Sequence, residues 1–337
     1  MSIELLSPAK DLAHGIAAIN HGADAVYMGA PKFGARVAAP NTISDIESLC
    51  SYAHKYKSKV YVALNTLLKN EELGQAQAII HQVYNAGIDA LIIQDMGILE
   101  MDLPPIPLFA STQTHNINPE RIKFLQDVGF QRIILARECS LTDIKTIKQS
   151  TNIELESFIH GAICVSYSGQ CYISHAVTGR SGNRGECSQM CRSSYSLRDS
   201  VGNYLIKNKH LLSLKDLNLS QSIEDLIDAG ITSFKIEGRL KDMSYVKNIT
   251  AYYRKKIDSV LEKKQLSKSS SGTFNFDFTP EPELSFSRGF TPYFIDGKRK
   301  PMASFDTPKS IGKRIGAITK INRNSFEIDN PIPISNN

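Results

Sequence analysis

Eight short apolar runs, each ending in polar residues and each followed by an amphipathic stretch or a turn, set what this chain can fold into. They cover residues 4–7, 25–29, 60–65, 90–95, 108–113, 132–138, 154–160 and 233–239. Runs this short and this continuously apolar suit parallel strands buried on both faces. The stretches between them read as helices. Residues 11–20 place Leu12, Ile16 and Ile19 on one face and stop at His21-Gly22. Ser44 is expected to cap a helix through Tyr56, with Glu47 closing a capping box. Residues 71–85 close at Ala86-Gly87, and Pro119 opens a helix that ends at Gly129. Residues 141–149, 223–229 and 243–264 follow, the last with a basic final turn that suits the helix dipole. Only 96–102 is too short for a full helix. Strand and helix alternating in this way specify the α/β class, as a (β/α)8 TIM-type barrel over residues 1–264.

Barrels of this kind carry their chemistry at the C-terminal strand ends. Those ends here hold Asn65, Gln94-Asp95, Thr112-Gln113, Arg137-Glu138, His160, and Glu237 with Arg239. One polar strand end is usually a turn or a cap, but six on one barrel point to a shared site. His160 and Glu237 are the candidate acid–base groups. Arg36, Asn65, Arg137, Lys235 and Arg239 are the candidate substrate-binding residues, because cations of this type hold carboxylates and phosphates. The plainer alternatives are an ion pair for each cation, such as Lys235 with Glu237, and a backbone carbonyl as the partner of His160. Tyr167 or Tyr172 has the ring to stack on a flipped base, or simply to pack over the cysteines.

Directly after the seventh run lies an insertion, residues 163–222, expected on the catalytic face. A segment this long without a core of its own is usually functional or organised by something bound. It holds four of the six cysteines: Cys164, Cys171, Cys187 and Cys191. Thiolates are soft ligands, and four of them suit either zinc or an iron–sulfur cluster. Structural zinc usually takes cysteines paired two to four residues apart. Only Cys187 and Cys191 approach that spacing, which favours the cluster and leaves zinc as the alternative. One helical turn would aim those two sulfurs at one point. Buried thiols or disulfides are the bland reading. Cys50 and Cys139 stand alone in periodic segments and are expected to take no part.

No apolar run reaches the length of a membrane span, and the opening ELLSPAKD lacks the character of a secretion signal. A cytoplasmic protein with reduced thiols is the expectation. The net charge of +5 permits a nucleic-acid partner without demanding one. Residues 265–272 (QLSKSSSG) read as a flexible linker. Beyond it, 273–278, 315–321 and 325–328 alternate like strands, as in a partial C-terminal β domain over 273–337 without a closing strand. The chain is therefore expected to be a piece of a longer protein.

The stretch ESFIHGAICVSYSGQCYIS resembles the signature of the peptidase U32 (collagenase-like) family, and NRGECSQMCR fits its second cysteine pair. YMGAPKFGAR, YVALNT, ILARE, SLKDL and KIEGRLK are similar to its barrel motifs, so the resemblance runs along essentially the whole chain. SFSRGFT and ASFDTPKSIG resemble the long members of its RNA hydroxylase branch, which make 5-hydroxycytidine in 23S ribosomal RNA. Other members make 5-hydroxyuridine at the tRNA wobble position, and more distant ones serve ubiquinone hydroxylation. The resemblance implies a [4Fe–4S] cluster on the four cysteines, chemistry without molecular oxygen, prephenate as a dicarboxylate co-substrate, and rRNA or tRNA as partner. Two other readings stand beside it. A peptidase finds neither an HExxH helix nor a GxSxG elbow here, and its best thiol–imidazole pair is Cys164 with His160. A zinc-stabilised RNA-binding protein is the third.

Overall fold

The computed structural model describes residues 2–35, 41–298 and 300–329, so Arg36 lies outside the described residues. Strands β1 (Ser2–Pro8), β2 (Ala25–Gly29), β3 (Lys59–Leu64), β4 (Ala90–Ile93), β5 (Leu108–Ala110), β6 (Arg132–Ile134) and β7 (Glu154–Gly161) pair in parallel, each with the next. A separate antiparallel hairpin, β8 (Tyr195–Arg198) and β9 (Tyr204–Lys209), follows. Then β10 (Asp216–Asn218) returns antiparallel beside β7. Finally β11 (Ser233–Ile236) pairs in parallel with both β7 and β1 and closes the eight-stranded barrel.

The outer helices are α1 (Leu12–Asn20), α2 (Ile43–Ala53), α3 (Leu73–Asn85), α4 (Pro119–Asp127) and α5 (Leu141–Ser150), then, after the short α6 (Ile173–Thr178) of the cysteine segment, α7 (Ile223–Asp228) and α8 (Met243–Lys264). Their starts are chemically marked. Asp11, Asn118, Ser140 and Asp242 each accept a backbone N–H of the first turn, and Pro119 follows its cap. The cap of α2 differs from expectation. Thr42 takes that place, and Asp45 returns the capping-box bond, so Ser44 lies inside the first turn. The fourth connection is a 3-10 turn, Met96–Glu100, as its length requires.

Charges occupy the barrel interior. Arg132 lies 2.5 Å from Glu4 and 3.2 Å from Glu156, and Lys235 lies 2.8 Å from Glu156. Ser233 Oγ donates to the same two carboxylates, and Tyr61 donates its hydroxyl to Glu4 at 2.6 Å. The Arg132 guanidinium also lies 4.5 Å from the Phe109 ring centroid. Two acids and two bases neutralise one another here. That balance lets a dry core keep charges whose desolvation alone would be prohibitive.

The segment after α8 is not a free linker. Strand β12 (Ser267–Lys268) pairs with β1, and Ser270 donates to Asp24 at 2.6 Å. Asp24 is buried and also accepts from Leu5 N and from Arg254, so it anchors the passing chain. Residues 273–278 form no strand; Phe276 and Phe278 instead lie against the His21 ring. Further on, β13 (Phe290–Thr291) adds to β10, Arg288 pairs with Asp216 at 3.0 Å, and Tyr293 and Ile295 enter the core. Residues 282–304 thus extend the barrel's packing rather than open a separate β domain. Further along, β14 (Ala317–Ile321) and β15 (Phe326–Asp329) form an antiparallel hairpin. Among the described residues, no helix is long and apolar enough to cross a membrane.

Candidate active site

Several polar residues read as strand ends sit just past the strands, in the turns over the barrel mouth: Gln94, Gln113, Arg137, Glu237 and Arg239. Ladder hydrogen bonding stops where the backbone must swing out to its helix, so the polar tails belong to the loops.

Arg137 is half-buried. Its guanidinium lies 3.7 Å from the Phe158 ring centroid, its Nη2 donates to the Glu237 carboxylate at 3.3 Å, and its Nε is buried without a partner in the protein. Arg239 is buried beside this pair, 5.7 Å from the Tyr27 ring centroid. Lys235 sits one layer deeper, 4.3 Å from the same ring. Burial pulls its pKa down, and Glu156 at 2.8 Å opposes that shift. Its ion pair is therefore with Glu156 and not with Glu237. Asn65 has both ends of its amide committed: Oδ1 accepts from Ala35 N at 3.0 Å and Nδ2 donates to Ser111 Oγ at 3.3 Å. It holds the loop after β2 to β5, which is a structural duty in place of the expected contact with substrate.

His160 is not at the mouth. Lys235 pairs with Phe158 and Ile236 with His160, so Ile159 is an extra residue on β7. That bulge reverses the alternation. Glu156 and Phe158 face the interior, whereas His160 packs outside against Tyr245 and Tyr253 of α8 and against Phe290. It is 1% exposed, with Nδ1 3.2 Å from the Tyr253 hydroxyl. Burial, helped by Lys241, pushes its pKa down to about 3. The imidazole is kept neutral and enclosed, which does not suit the acid–base role expected of it.

Two residues that sequence reasoning left unranked are placed at the site. Gln94 and Gln113 each bury an amide oxygen without a partner in the protein. Their only signal in the sequence is position at the end of an apolar run. Asp95 and Glu138, equally polar, are spent on structure: Asp95 accepts from Leu68 N and Gly97 N, and Glu138 from the N–H and hydroxyl of Ser168.

The cysteine segment is tied to these loops at several points. Ser168 is held by Glu138, and its carbonyl lies 3.0 Å from His115 Nδ1. Gly169 lies so close to the Gln113 carbonyl that an added Cβ would come within 2.0 Å. Arg184 makes two bonds to Glu72, at 2.7 and 3.0 Å, and a third to the Leu67 carbonyl. Arg192 clamps the two ends of the segment by donating to Ile163 O, Leu214 O and Ser213 Oγ. Tyr167 is 64% exposed and meets His115 edge-on; Tyr172 is exposed too.

All six cysteines are thiols. Cys50 and Cys139 are buried in the barrel wall, and burial pushes both up to about 12. The other four share one neighbourhood. Burial raises the Cys191 thiol, Arg192 opposes, and Cys164, Cys187 and Cys171 each add to the rise. Cys187 and Cys191 do not share a helical turn, because Gln189 between them is left-handed, with φ of 55°, and only Met190–Arg192 is helical. Among the described residues, no three His, Cys, Asp or Glu side chains are drawn together tightly enough to hold an ion. The four thiols are half-buried or exposed, with the Arg192 cation beside Cys191.

Comparison with known proteins comes to the same stretch. The model of Peptidase family U32 matches residues 10–304. The chain is 52% identical to a 23S rRNA 5-hydroxycytidine synthase of Escherichia coli over 99% of its own length and 51% of that protein's. It is 38% identical to a tRNA hydroxylation protein of Bacillus subtilis over 76% of its length and 63% of that protein's. It is also 38% identical to an uncharacterized protease of Methanocaldococcus jannaschii, over 77% of its length and 66% of that protein's. The chain thus spans about half the length of the Escherichia coli protein.

Proposed function

Because the chain belongs to Peptidase family U32, we propose that it carries the catalytic barrel of an RNA base hydroxylase, acting at C5 of a pyrimidine. The target is a cytidine of 23S ribosomal RNA in preference to a wobble uridine of tRNA. The observation that carries this reading is the likeness to the Escherichia coli synthase along nearly the whole chain. The geometry supports it with a mouth in which Arg137 and Arg239 supply two cations against the carboxylate of Glu237. Cations of this kind suit an anionic small molecule, and a dicarboxylate such as prephenate is the proposed co-substrate.

Replacing C5–H by C5–OH is a two-electron oxidation, and it balances when the co-substrate supplies an alcohol oxygen and is itself reduced from C–OH to C–H. Cys164, Cys171, Cys187 and Cys191 would hold the [4Fe–4S] cluster, which supplies one-electron redox chemistry without molecular oxygen. The chain's own residues do the rest. Arg137, fixed on Phe158, and Arg239 orient the anion. Glu237 is the proton-handling group, and the exposed Tyr167 offers a face for a base. A peptidase reading needs an imidazole presented to a thiolate, and His160 is buried against α8 instead. The site of action is cytoplasmic, where reduced thiols and RNA coexist.

Nucleoside mass spectrometry of rRNA and tRNA from a deletion strain tests this. The expected result is loss of 5-hydroxycytidine from 23S rRNA. Retention of every 5-hydroxypyrimidine, with loss of a peptidase activity that the chain restores, would defeat the hydroxylase reading.

A further inference from the structure

Gln94, after β4, and Gln113, after β5, lie at neighbouring strand ends, and each buries its Oε1 atom without a partner in the protein. Gln94 is 7% exposed. The two residues adjoin, since Gln94 Nε2 donates to the Gln113 carbonyl at 3.5 Å. Gly169 presses on that same carbonyl, so the cysteine segment roofs this corner of the mouth. Buried polar atoms are nearly always hydrogen-bonded, and a pair of orphans in one corner asks for an occupant. Both orphans are acceptors, so the occupant must donate. On the next strand end, Arg137 Nε is a buried donor that also lacks a partner in the protein. Three neighbouring strand ends, after β4, β5 and β6, therefore offer two acceptors and one donor.

We propose that Gln94 and Gln113 are specificity-determining residues that accept the two N–H bonds of a cytosine's exocyclic amine. The proposal rests on the RNA-base reading above. The edge of cytosine carries an amine with two hydrogens beside two acceptors, N3 and O2, and Arg137 Nε is the complementary donor for these. Uracil puts a carbonyl oxygen where the amine would be, facing two amide oxygens that cannot donate. A site that hydrogen-bonds one substrate group discriminates strongly against an analogue lacking it. Carboxylates also accept from this amine, so Gln113→Glu keeps the recognition, whereas leucine at either position removes it.

The test expresses the full chain in an Escherichia coli strain that lacks its own 5-hydroxycytidine synthase. The strain carries 23S rRNA with either cytidine or uridine at the modified position, and mass spectrometry reads 5-hydroxylation of each. Wild type is expected to favour cytidine. Gln94→Leu and Gln113→Leu should each lower the cytidine-to-uridine ratio at least tenfold, and Gln113→Glu should preserve it. An amide that is merely structural, or that holds only water, would lower both products alike and leave the ratio unchanged, which overturns the proposal. Should the leucine variants fail to fold, a soluble Gln113→Glu protein that has lost the preference for cytidine overturns it as well. If wild type hydroxylates neither base, the hydroxylase reading fails and takes this inference with it. If wild type hydroxylates and every variant keeps the wild-type ratio, this inference alone fails.

Discussion

His160 meets Tyr253 at 3.2 Å inside a ring of aromatic side chains, and burial holds its pKa down at about 3. The unfolded imidazole titrates near 6.5. Below that pH the unfolded chain takes up a proton that the folded chain refuses. The stability from neutral His160 is thus complete above about pH 6.5 and falls toward pH 3, at up to about 1.4 kcal/mol per pH unit. His160→Gln is expected to flatten the pH dependence of stability between 6.5 and 4, read from urea midpoints; a slope like that of wild type would refute it. Arg132 is the opposite case, a buried charge whose partners are in place. Arg132→Met leaves Glu4 and Glu156 facing each other in the barrel without their shared cation. We expect a loss of about 3–5 kcal/mol in urea unfolding, the usual cost of breaking a buried pair by removing one partner. Adding Glu4→Gln should recover part of that loss, because it removes one of the stranded charges.

Between residue and fold, the loops decide what the barrel presents. Gly169 has φ of 74° and almost touches the Gln113 carbonyl. Gly169→Ala adds a methyl where there is no space and strains a left-handed backbone. The expected result is a displaced cysteine segment on an intact barrel. Hydrogen exchange should quicken across residues 163–192, while the barrel strands keep their protection. Equal loosening of β1–β7 would contradict that local reading. The same scale separates what the sequence made legible from what it hid. Short apolar runs and their spacing revealed all eight barrel strands, since burial on both faces leaves a local pattern. The polar strand ends were legible as a set, and two of them meet, Arg137 donating to Glu237 at 3.3 Å. The placement of His160 was not legible, because one extra residue at Ile159 reverses a whole strand end and is visible only against its partner strand. Nor was the anchoring of 265–272. Serine-rich sequence looks flexible until a buried Asp24 from a distant loop takes hold of it.

For the molecule as a whole, the proposed reaction needs two things side by side: a mouth that orients an anion and a base, and a four-thiolate group that carries electrons. They come from different parts of the chain. The mouth residues belong to the loops after the barrel strands, and the thiols belong to a segment tied to Glu138, Glu72 and the backbone of Gln113. This division makes the two requirements separable by mutation. Cys187→Ser removes one soft ligand from the group of four and touches nothing in the mouth. It should abolish both the visible absorbance of anaerobically purified protein and the RNA modification. Arg239→Ala removes a cation from the mouth and leaves the thiols alone. It should keep the absorbance and lose the modification, most clearly at limiting dicarboxylate. Cys50→Ser is the control, because Cys50 is buried in the wall with its thiol pushed up to about 12 and should leave both readouts unchanged. If Arg239→Ala modifies RNA at the wild-type rate under limiting prephenate, the mouth is misassigned. If Cys187→Ser protein stays coloured and active while Cys50→Ser does not, the thiols of the segment are not the redox group.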